Sequence, residues 1–580
     1  MPMTAALAIA LFPAIVQAQG AGALDQSFGT GGIVTTDFAG AGDGAFAIAV
    51  QTDGKLVAAG QAFINDASNF ALARYNSNGT LDAGFGAGGR ASTNFGGRFE
   101  SPTSVALQAD GKVVVAGGSV ISLFNDFAVA RFNSNGTLDT SFGTGGKVLT
   151  DFGVSAQAES VAVQPDGKIV VAGFANVNGG YNFELVRYNS DGTLDASFGT
   201  GGKVTTDFGL RDQGFSFAQG NSVLLQHDGK IVLAGVAFMS SAYNFALARY
   251  NPNGTLDNGF GAAGKVITNF PTSTSNANVA ANSIALQPDG KIVAAGLAGF
   301  DIALARYSSS GALDTSFGTG GRVTTDVAGS YDHLSSVALQ PDAKIVGAGS
   351  TVINGDFHSA LLRYNSNGTL DTTFGTGGKV INIFGVQSEG ASAIAVQPDG
   401  KIVAAGGANI NGTTDFALAR FNSGGGSSTP PPTSGFTPIR VNAGGPAYTD
   451  ATGNLWAADT NTTGSTFGTS ATIGNTTTMA LYQTERWSTS PLQYVFAAPN
   501  ATYTVTLKFA EIYFTTCGHR IFNIAINGTT VDANFDPCAA GGGPNMAVDR
   551  VYTVPVSGGQ IAITLTPVLD NPKISAIEIR

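Results

Sequence analysis

"SVAVQPDGKIVVAGFANVNGGYNFELVRYNSDGTLDASFG", residues 160–199, decides the fold. It contains four runs with β-forming character, "SVAVQ", "KIVVAG", "FELVRYN" and "TLDASFG", separated by turn chemistry. Pro-Asp-Gly and Asn-Ser-Asp-Gly are tight-turn sequences, because Gly and Asn tolerate the positive φ that a hairpin needs. The stretch reads as one four-stranded antiparallel sheet.

Its signatures recur seven times in fixed order. "LDxxFG" begins at Leu24, Leu81, Leu138, Leu194, Leu256, Leu313 and Leu370. The "DGK" turn has its acid at Asp53, Asp110, Asp166, Asp228, Asp289, Asp342 and Asp399, the sixth as "DAK". The strand ending in Arg and an aromatic carries Arg74, Arg131, Arg187, Arg249, Arg306, Arg363 and Arg420. Four-stranded units in seven copies predict an all-β, seven-bladed propeller in which each sheet buries its faces on its neighbours. The chain opens with an orphan "LDQSFG", and its last repeat stops at "FALARFNSGG" without one. An N-terminal strand should therefore complete the last blade, with Leu24–Phe28 beside Phe416–Asn422, so that the ring has no open edge.

A three-residue hairpin loop at "NSNG" would set Arg74 across from Asp82, and the same pairing in every blade. Seven equal copies imply scaffold, since an active site is singular. The "NSNGTLD" segment lacks the alternating acids and final Glu of a calcium loop and reads as a plain turn. The "DGK" and "NSNG" connections hardly vary in length, whereas those before the first strand and between the second and third do, including an insertion at 209–222. Alternate turns of an up-and-down blade share a rim, so one rim is uniform and the other variable. The variable rim is the candidate surface for a protein partner. Through "LDxxFGxGGKVxTDFG", "VALQPDGKIVxAG" and "FALARYNxxGxLD", residues 24–423 resemble the delta-60 repeat family of bacterial exported propellers. That resemblance implies a fold and no established reaction.

Bulk properties agree. Gly makes up 80 of 580 residues, hydrophobic residues 43% and charged residues 12%, as in a turn-rich β protein rather than a disordered or helical one. The net charge of −11, without a basic run or an aromatic-basic stripe, excludes a nucleic-acid reader. "MPMTAALAIALFPAIVQAQG" carries an apolar run ending in Val16-Gln17-Ala18, which predicts a signal peptide over residues 1–18; its missing basic region leaves open a start upstream. No other stretch is apolar enough to span a bilayer, so the expectation is a secreted or periplasmic monomer without a transmembrane segment. Cys517 and Cys538 are the only cysteines, and a pair in an exported chain predicts one disulfide, worth about 3 kcal/mol. No metal site or cofactor is expected: the Cys spacing is wrong for paired ligands, and His227, His333, His358 and His519 are isolated.

A Gly/Ser/Pro linker, "GGGSSTPPPTSG" at 424–435, separates a second domain over 436–580. There the repeat disappears, and both tryptophans, Trp456 and Trp487, appear. Alternating runs such as "TYTVTLKFAEIYF", "RIFNIAINGTTV" and "RVYTVPVSGGQIAITLTPV", with Asn-Gly and Gly-Gly turns, predict a β-sandwich. Loop aromatics beside polar groups suit a sugar, whose CH face stacks on a ring while its hydroxyls need a carboxylate or amide.

The domain resembles malectin, a carbohydrate-binding jelly-roll-like sandwich, through "IRVNAGGPAYTDATGNLWAAD" (439–459), "LYQTERW" (481–487), "LKFAEIYF" (507–514), "RIFNIAINGTTV" (520–531) and "DNPKISAIEI" (570–579). The resemblance implies a glucose-type oligosaccharide held by aromatics from several loops and one Asp. Matched position by position, it points to Tyr513 and Phe514, to Trp487 where the family has Tyr, to Asp570, and to Phe467 through a gapped stretch. Cys517 and Cys538 depart from the family pattern, and their disulfide would pin the loop carrying Tyr513 and Phe514. One of Glu485 and Arg486 is expected to pair with a core partner and brace the strand, because neighbouring strand residues face opposite ways.

The expected function is therefore non-catalytic carbohydrate binding on a propeller scaffold. Two alternatives stay open: protein interaction or adhesion through the variable rim, and a glycan-active enzyme using Glu159, Glu389, Asp212, Asp332 or Asp356. Their spacing singles out no pair of carboxylates, and G-x-S-x-G, H-E-x-x-H and a phosphate-cradling Gly-Lys loop are absent.

Overall fold

The computed structural model describes residues 20–424 and 438–580, apart from 41, 122–123, 210–216, 227, 240–241, 272–276, 328–330, 385–387, 411, 451–453, 461–463, 477, 499–501 and 557–559. The predicted signal peptide, nearly all of the linker, His227 and Asp212 thus lie outside the described residues. The chain separates into two compact units between Gly426 and Ser427.

The first unit contains seven four-stranded antiparallel sheets, the blades of a propeller. In the blade read above the strands are Ala156–Val163, Ile169–Val177, Gly180–Tyr188 and Lys203–Thr206, in sequence order. Three match the sequence reading, and the fourth corrects it. "TLDASFG" is a turn that touches its sheet only through a bridge from Leu194 to Tyr188, and "KVTT" is the outer strand. The reason is local: Asp195 accepts hydrogen bonds from the Ser197 N–H (3.0 Å) and hydroxyl (2.6 Å), and its carbonyl accepts from the Phe198 N–H (3.0 Å). Those bonds curl the segment instead of extending it.

Ring closure follows the same rule. Leu24 bridges Phe421, but the strand completing the last blade is Ile33–Thr36, paired from Ile33 with Ala419 to Thr36 with Phe416. The N-terminal strand closes the ring as expected, with the ladder nine residues further along than "LDQSF".

The Arg–Asp pairing holds in all seven blades at 2.7–2.9 Å, with Arg420 reaching Asp25 across the closure. Each Arg also lies over the Phe of its own "LDxxFG" turn, 4.5–4.7 Å from the ring centroid. It donates to a carbonyl of the next blade as well, as Arg187 does to Pro252. The "DGK" lysine joins the same acid: Lys168 lies 2.8 Å from Asp195 and Lys401 2.8 Å from Asp25. Burial alone would raise the Asp25 pKa, but Lys401, Ser27 and Arg420 outweigh it and lower it to about 2. Blades also meet backbone to backbone, where the Gly143 N–H donates to the Asp191 carbonyl at 2.8 Å. This close approach requires glycine at 192: its φ is +88°, and a Cβ there would lie 2.8 Å from Gly143 N.

Every innermost strand bulges, between Ala158 and Ser160 in this blade and twice in Ser388–Val396 of the last. The serines beyond successive bulges link neighbours, with the Val161 N–H donating to Ser104 Oγ and the Val223 N–H to Ser160 Oγ, both at 3.1 Å.

The second unit is a sandwich. One sheet has the order Tyr448–Thr449, Leu455–Ala458, Ile439–Asn442, Ala576–Ile579, Thr502–Ala510, Ala547–Pro555; the other has Leu492–Ala497, Gln560–Leu569, Ile521–Ile526, Thr529–Phe535. Val505, Leu507, Phe509, Phe522, Ile524, Ile563 and Ile577 form its core, all buried. A third, small sheet joins Ser465–Gly468, Thr484–Trp487 and Lys573–Ile574.

Candidate functional site

Charges inside the sandwich build the site. The strand Thr502–Ala510 runs out into Glu511-Ile512-Tyr513-Phe514, Gln560–Leu569 runs out into Asp570, and His519-Arg520 lead into Ile521–Ile526. Ile521 pairs with Leu569, so the second and third segments share an end of their sheet. Arg520 brings in the first: its Nε donates to Glu511 Oε2 at 2.9 Å, its Nη1 donates to the Asn571 carbonyl at 2.5 Å, and Nη1 lies 3.5 Å from Asp570 Oδ2.

Glu511 fixes the loop. Its Oε1 accepts the backbone N–H of Tyr513 (2.9 Å) and of Phe514 (3.1 Å), and lies 3.5 Å from Lys573 Nζ. Lys573 also pairs with Glu485, and all three groups are buried. Burial would raise Glu511, but Lys573, Arg520 and the two N–H donors outweigh it and hold its pKa below the usual carboxylate value. For Glu485 burial prevails over Lys573, and its pKa is raised. A buried carboxylate tied to two cations and two amides leaves its loop little freedom.

What that loop presents is apolar. Tyr513 is 62% exposed, Phe467 is 37% exposed, and their ring centroids are 5.5 Å apart, edge to face. Tyr513 meets Phe514 at 5.1 Å, Phe514 stacks on His519 at 5.2 Å, and the Arg520 guanidinium lies 5.3 Å from the centre of the Phe514 ring. Phe467 pairs with Glu485, two residues from Trp487 on the same strand, so Phe467 and Trp487 project from the same face of the small sheet. Trp487 is half-buried and makes no ring contact with the other three among the described residues. Asp570 is exposed at φ +56°, its side chain beside Arg520. Phe467, Tyr513 and Phe514 thus form one contiguous patch, Asp570 joins it through Arg520, and Trp487 shares a face with Phe467.

The disulfide between Cys517 and Cys538 is present, with Cα atoms 5.0 Å apart. It ties the loop after Phe514 to the helix Pro537–Gly541, whose N-cap Asp536 also accepts the Gly518 N–H at 2.8 Å. Both residues singled out in "TERW" find partners: Glu485 pairs with Lys573, and Arg486 Nε donates to Asp459 at 2.5 Å on the opposite face. Sequence reasoning missed Glu511, Arg520, His519 and Lys573. For Glu511 a signal was available, since "FAEIYF" sets one charge inside an otherwise apolar run, where it must be paired if buried.

In the propeller unit, a cavity of about 700 Å³ is lined mainly by hydroxyl, amide and apolar side chains, and by Glu159. Burial raises the Glu159 pKa to about 7. Asp332 is buried, accepting from the Val327 N–H and the Thr351 hydroxyl, and Asp356 is exposed.

Residues 437–577 match the Malectin domain family, and seven segments between 51 and 427 match the family described as Domain of unknown function (DUF5122) beta-propeller. The chain joins a DUF5122 β-propeller to a malectin domain. The malectin segment encloses Phe467, Trp487, Tyr513, Phe514 and Asp570. Among curated relatives, Malectin-B of Xenopus laevis and Malectin of Homo sapiens are each 29% identical over 160 residues, 24% of this chain. The chain spans 58% and 54% of their lengths, a little over half. A solved β-glucuronidase of Bacteroides uniformis is 19% identical, covering 41% of this chain and 27% of its own, with a TM-score of 0.23. A likeness that slight carries no argument about activity.

Proposed function

We propose that this is an exported, non-catalytic carbohydrate-binding protein, whose malectin domain takes a glucose-type oligosaccharide or cell-surface glycan while the propeller serves as scaffold. The observation that carries this reading is the Phe467–Tyr513–Phe514 patch, in which Phe467 and Tyr513 are exposed, Phe514 is half-buried, and the loop of Tyr513 and Phe514 is anchored by buried Glu511. Exposed aromatics on a fixed backbone offer stacking area at little ordering cost. Asp570 stands at the patch edge to accept hydroxyl hydrogen bonds, and Trp487 extends the apolar face. The disulfide agrees with an exported chain, and no helix among the described residues is long and apolar enough to cross a membrane.

Both tryptophans lie in the malectin domain, so intrinsic fluorescence of the full chain reports on this site. Titration with gluco-oligosaccharides, preceded by a broad glycan array, is expected to give saturable binding that Tyr513→Ala and Asp570→Ala weaken about tenfold each. Silence across the array would sink the reading; binding untouched by both substitutions would sink the site.

A second reading, a protein partner on the propeller, is favoured by one specific observation. Phe99, Phe124 and Phe300 in the variable connections, and Phe63 and Phe357 at the strand ends beside them, are 37–61% exposed. Isolated exposed apolar residues are ordinary, whereas a set gathered on one rim suits docking. Replacing Phe99, Phe300 and Phe357 by Ser would abolish capture of such a partner while leaving glycan binding intact.

A further inference from the structure

The ring-closure seam carries a feature that the carbohydrate reading does not use. Asp37 follows the closing strand Ile33–Thr36, Asp43 begins the first innermost strand, Asp43–Val50, and Asp415 lies near the start of Thr413–Phe421. One carboxylate oxygen from each lies within 4.8 Å of those of the other two. Two oxygens bound to one calcium ion at about 2.3–2.6 Å can be at most about 5 Å apart, so this spacing fits a shared ion.

Three carboxylates this close would ordinarily be relieved by a cation of the protein. Here no Lys, Arg or His pairs with any of them among the described residues. Asp43 and Asp415 are only 2% and 6% exposed. The backbone satisfies part of the set: Asp43 accepts the N–H of Phe38 (2.8 Å) and Phe63 (3.3 Å), and Asp37 accepts the N–H of Ala39 (3.0 Å) and Gly40 (2.6 Å). Asp415 is different. Its Oδ1 is buried without any hydrogen-bond partner, and its side chain belongs to the cluster. An unpartnered, nine-tenths-buried carboxylate beside two others is costly unless something positive occupies the space. Burial, with Asp37 and Asp415 nearby, outweighs the two N–H donors and raises the Asp43 pKa to about 6.

The same three acids recur at one other blade junction, as Asp301, Asp326 and Asp332, but not at every one. Where Asp415 and Asp37 stand here, the next junction has Asn69 and Asn94, and its buried acid, Glu100, accepts the N–H of Phe95 and Gly97 and the Ser119 hydroxyl. A third has Asn244, Asn269 and Val279, with no acid. Amides at these places are compatible with the fold, so the three carboxylates are not a requirement of blade packing.

We propose that Asp37, Asp43 and Asp415 bind a divalent cation of the calcium class and that this ion clasps the two ends of the ring together. An all-oxygen, all-carboxylate donor set selects a hard cation, with water completing its shell. Two ligands come from the N-terminal segment and one from the last propeller strand. The ion therefore joins parts of the chain about 370 residues apart in sequence, at the place where the propeller is closed by hydrogen bonds rather than by continuous chain.

The test uses the full chain, stripped with EDTA and dialysed, then titrated with CaCl₂ by calorimetry, with MgCl₂ as comparison. Binding with a Kd of about 10⁻⁴ M is expected, in the range of extracellular calcium modules. At saturating calcium the propeller Tm should rise by about 3 °C, and amide exchange over Ile33–Thr36 should slow. Asp415→Asn should lose the calcium-dependent part of both effects. Its metal-free Tm should equal or exceed that of the unsubstituted protein, because a buried unpaired charge has been removed. A protein without calcium-dependent change in Tm or exchange overturns the proposal, as does a full calcium response in Asp415→Asn.

Discussion

Substituting Glu511 tests how the sandwich builds its loop. The side chain is 1% exposed and makes four contacts: the N–H of Tyr513 at 2.9 Å and of Phe514 at 3.1 Å, Arg520 at 2.9 Å and Lys573 at 3.5 Å. Glu511→Ala leaves Lys573 with Glu485 and leaves Arg520 with Asp570 at 3.5 Å as its nearest carboxylate. Removing one member of a buried charged network costs about 3–5 kcal/mol, within which the two orphaned amides account for about 1 kcal/mol each. A cost of about 4 kcal/mol lowers Tm by about 10 °C for a domain near 150 residues. Glu511→Gln keeps a carbonyl for the two amides but turns an NH₂ toward two cations, so its loss should be smaller but still about 2–3 kcal/mol. Urea and thermal unfolding followed by tryptophan fluorescence reads this directly, because Trp456 and Trp487 both lie in the malectin domain and the propeller is silent. If Glu511→Ala changes Tm by less than about 3 °C and leaves sugar affinity unchanged, the network neither holds the domain nor positions Tyr513 and Phe514.

Two further perturbations address other parts of the molecule. Glu184 stands where the six other blades have Ala, is fully buried, and is raised to about 8 by burial, against the Thr205 hydroxyl and Lys203. An acid whose folded pKa exceeds its unfolded value binds its proton more tightly when folded. Its contribution is therefore complete below about pH 4.5 and lost as pH rises through about 8. Calorimetric Tm values at pH 5 and pH 9 should show Glu184→Ala stabilising the propeller at pH 9 and flattening its pH dependence; identical profiles would contradict this. Replacing Cys517 and Cys538 together by Ser should lower malectin-domain stability by about 3 kcal/mol and weaken oligosaccharide binding by freeing the loop after Phe514, read by urea unfolding and by the same fluorescence titration.

What the sequence disclosed depended on how local each determinant is. Seven repeats, hairpin turns and the Arg–Asp pairing are written within windows of about forty residues, so blade number and scaffold chemistry could be read directly. The fourth strand could not, because "LDASFG" has the composition of a strand while Asp195 and Ser197 bend it through side-chain bonds that a β-propensity reading ignores. The error carried to the closure, where Ile33–Thr36 rather than Leu24–Phe28 completes the ladder. In the malectin domain the exposed aromatics were legible through resemblance to a family, but Glu485, Lys573, Glu511 and Arg520 become one network only when four segments meet in space. The carboxylates at the ring seam are the extreme case. Cysteine and histidine spacing and compact acidic loops are sequence signals of metal sites, whereas Asp37 and Asp415 become neighbours only because the chain's first strand finishes its last blade. Closure by an N-terminal strand, itself legible in the sequence, is thus what makes the cation clasp available: a propeller whose blades were each continuous in sequence would bring no distant segments together at this point.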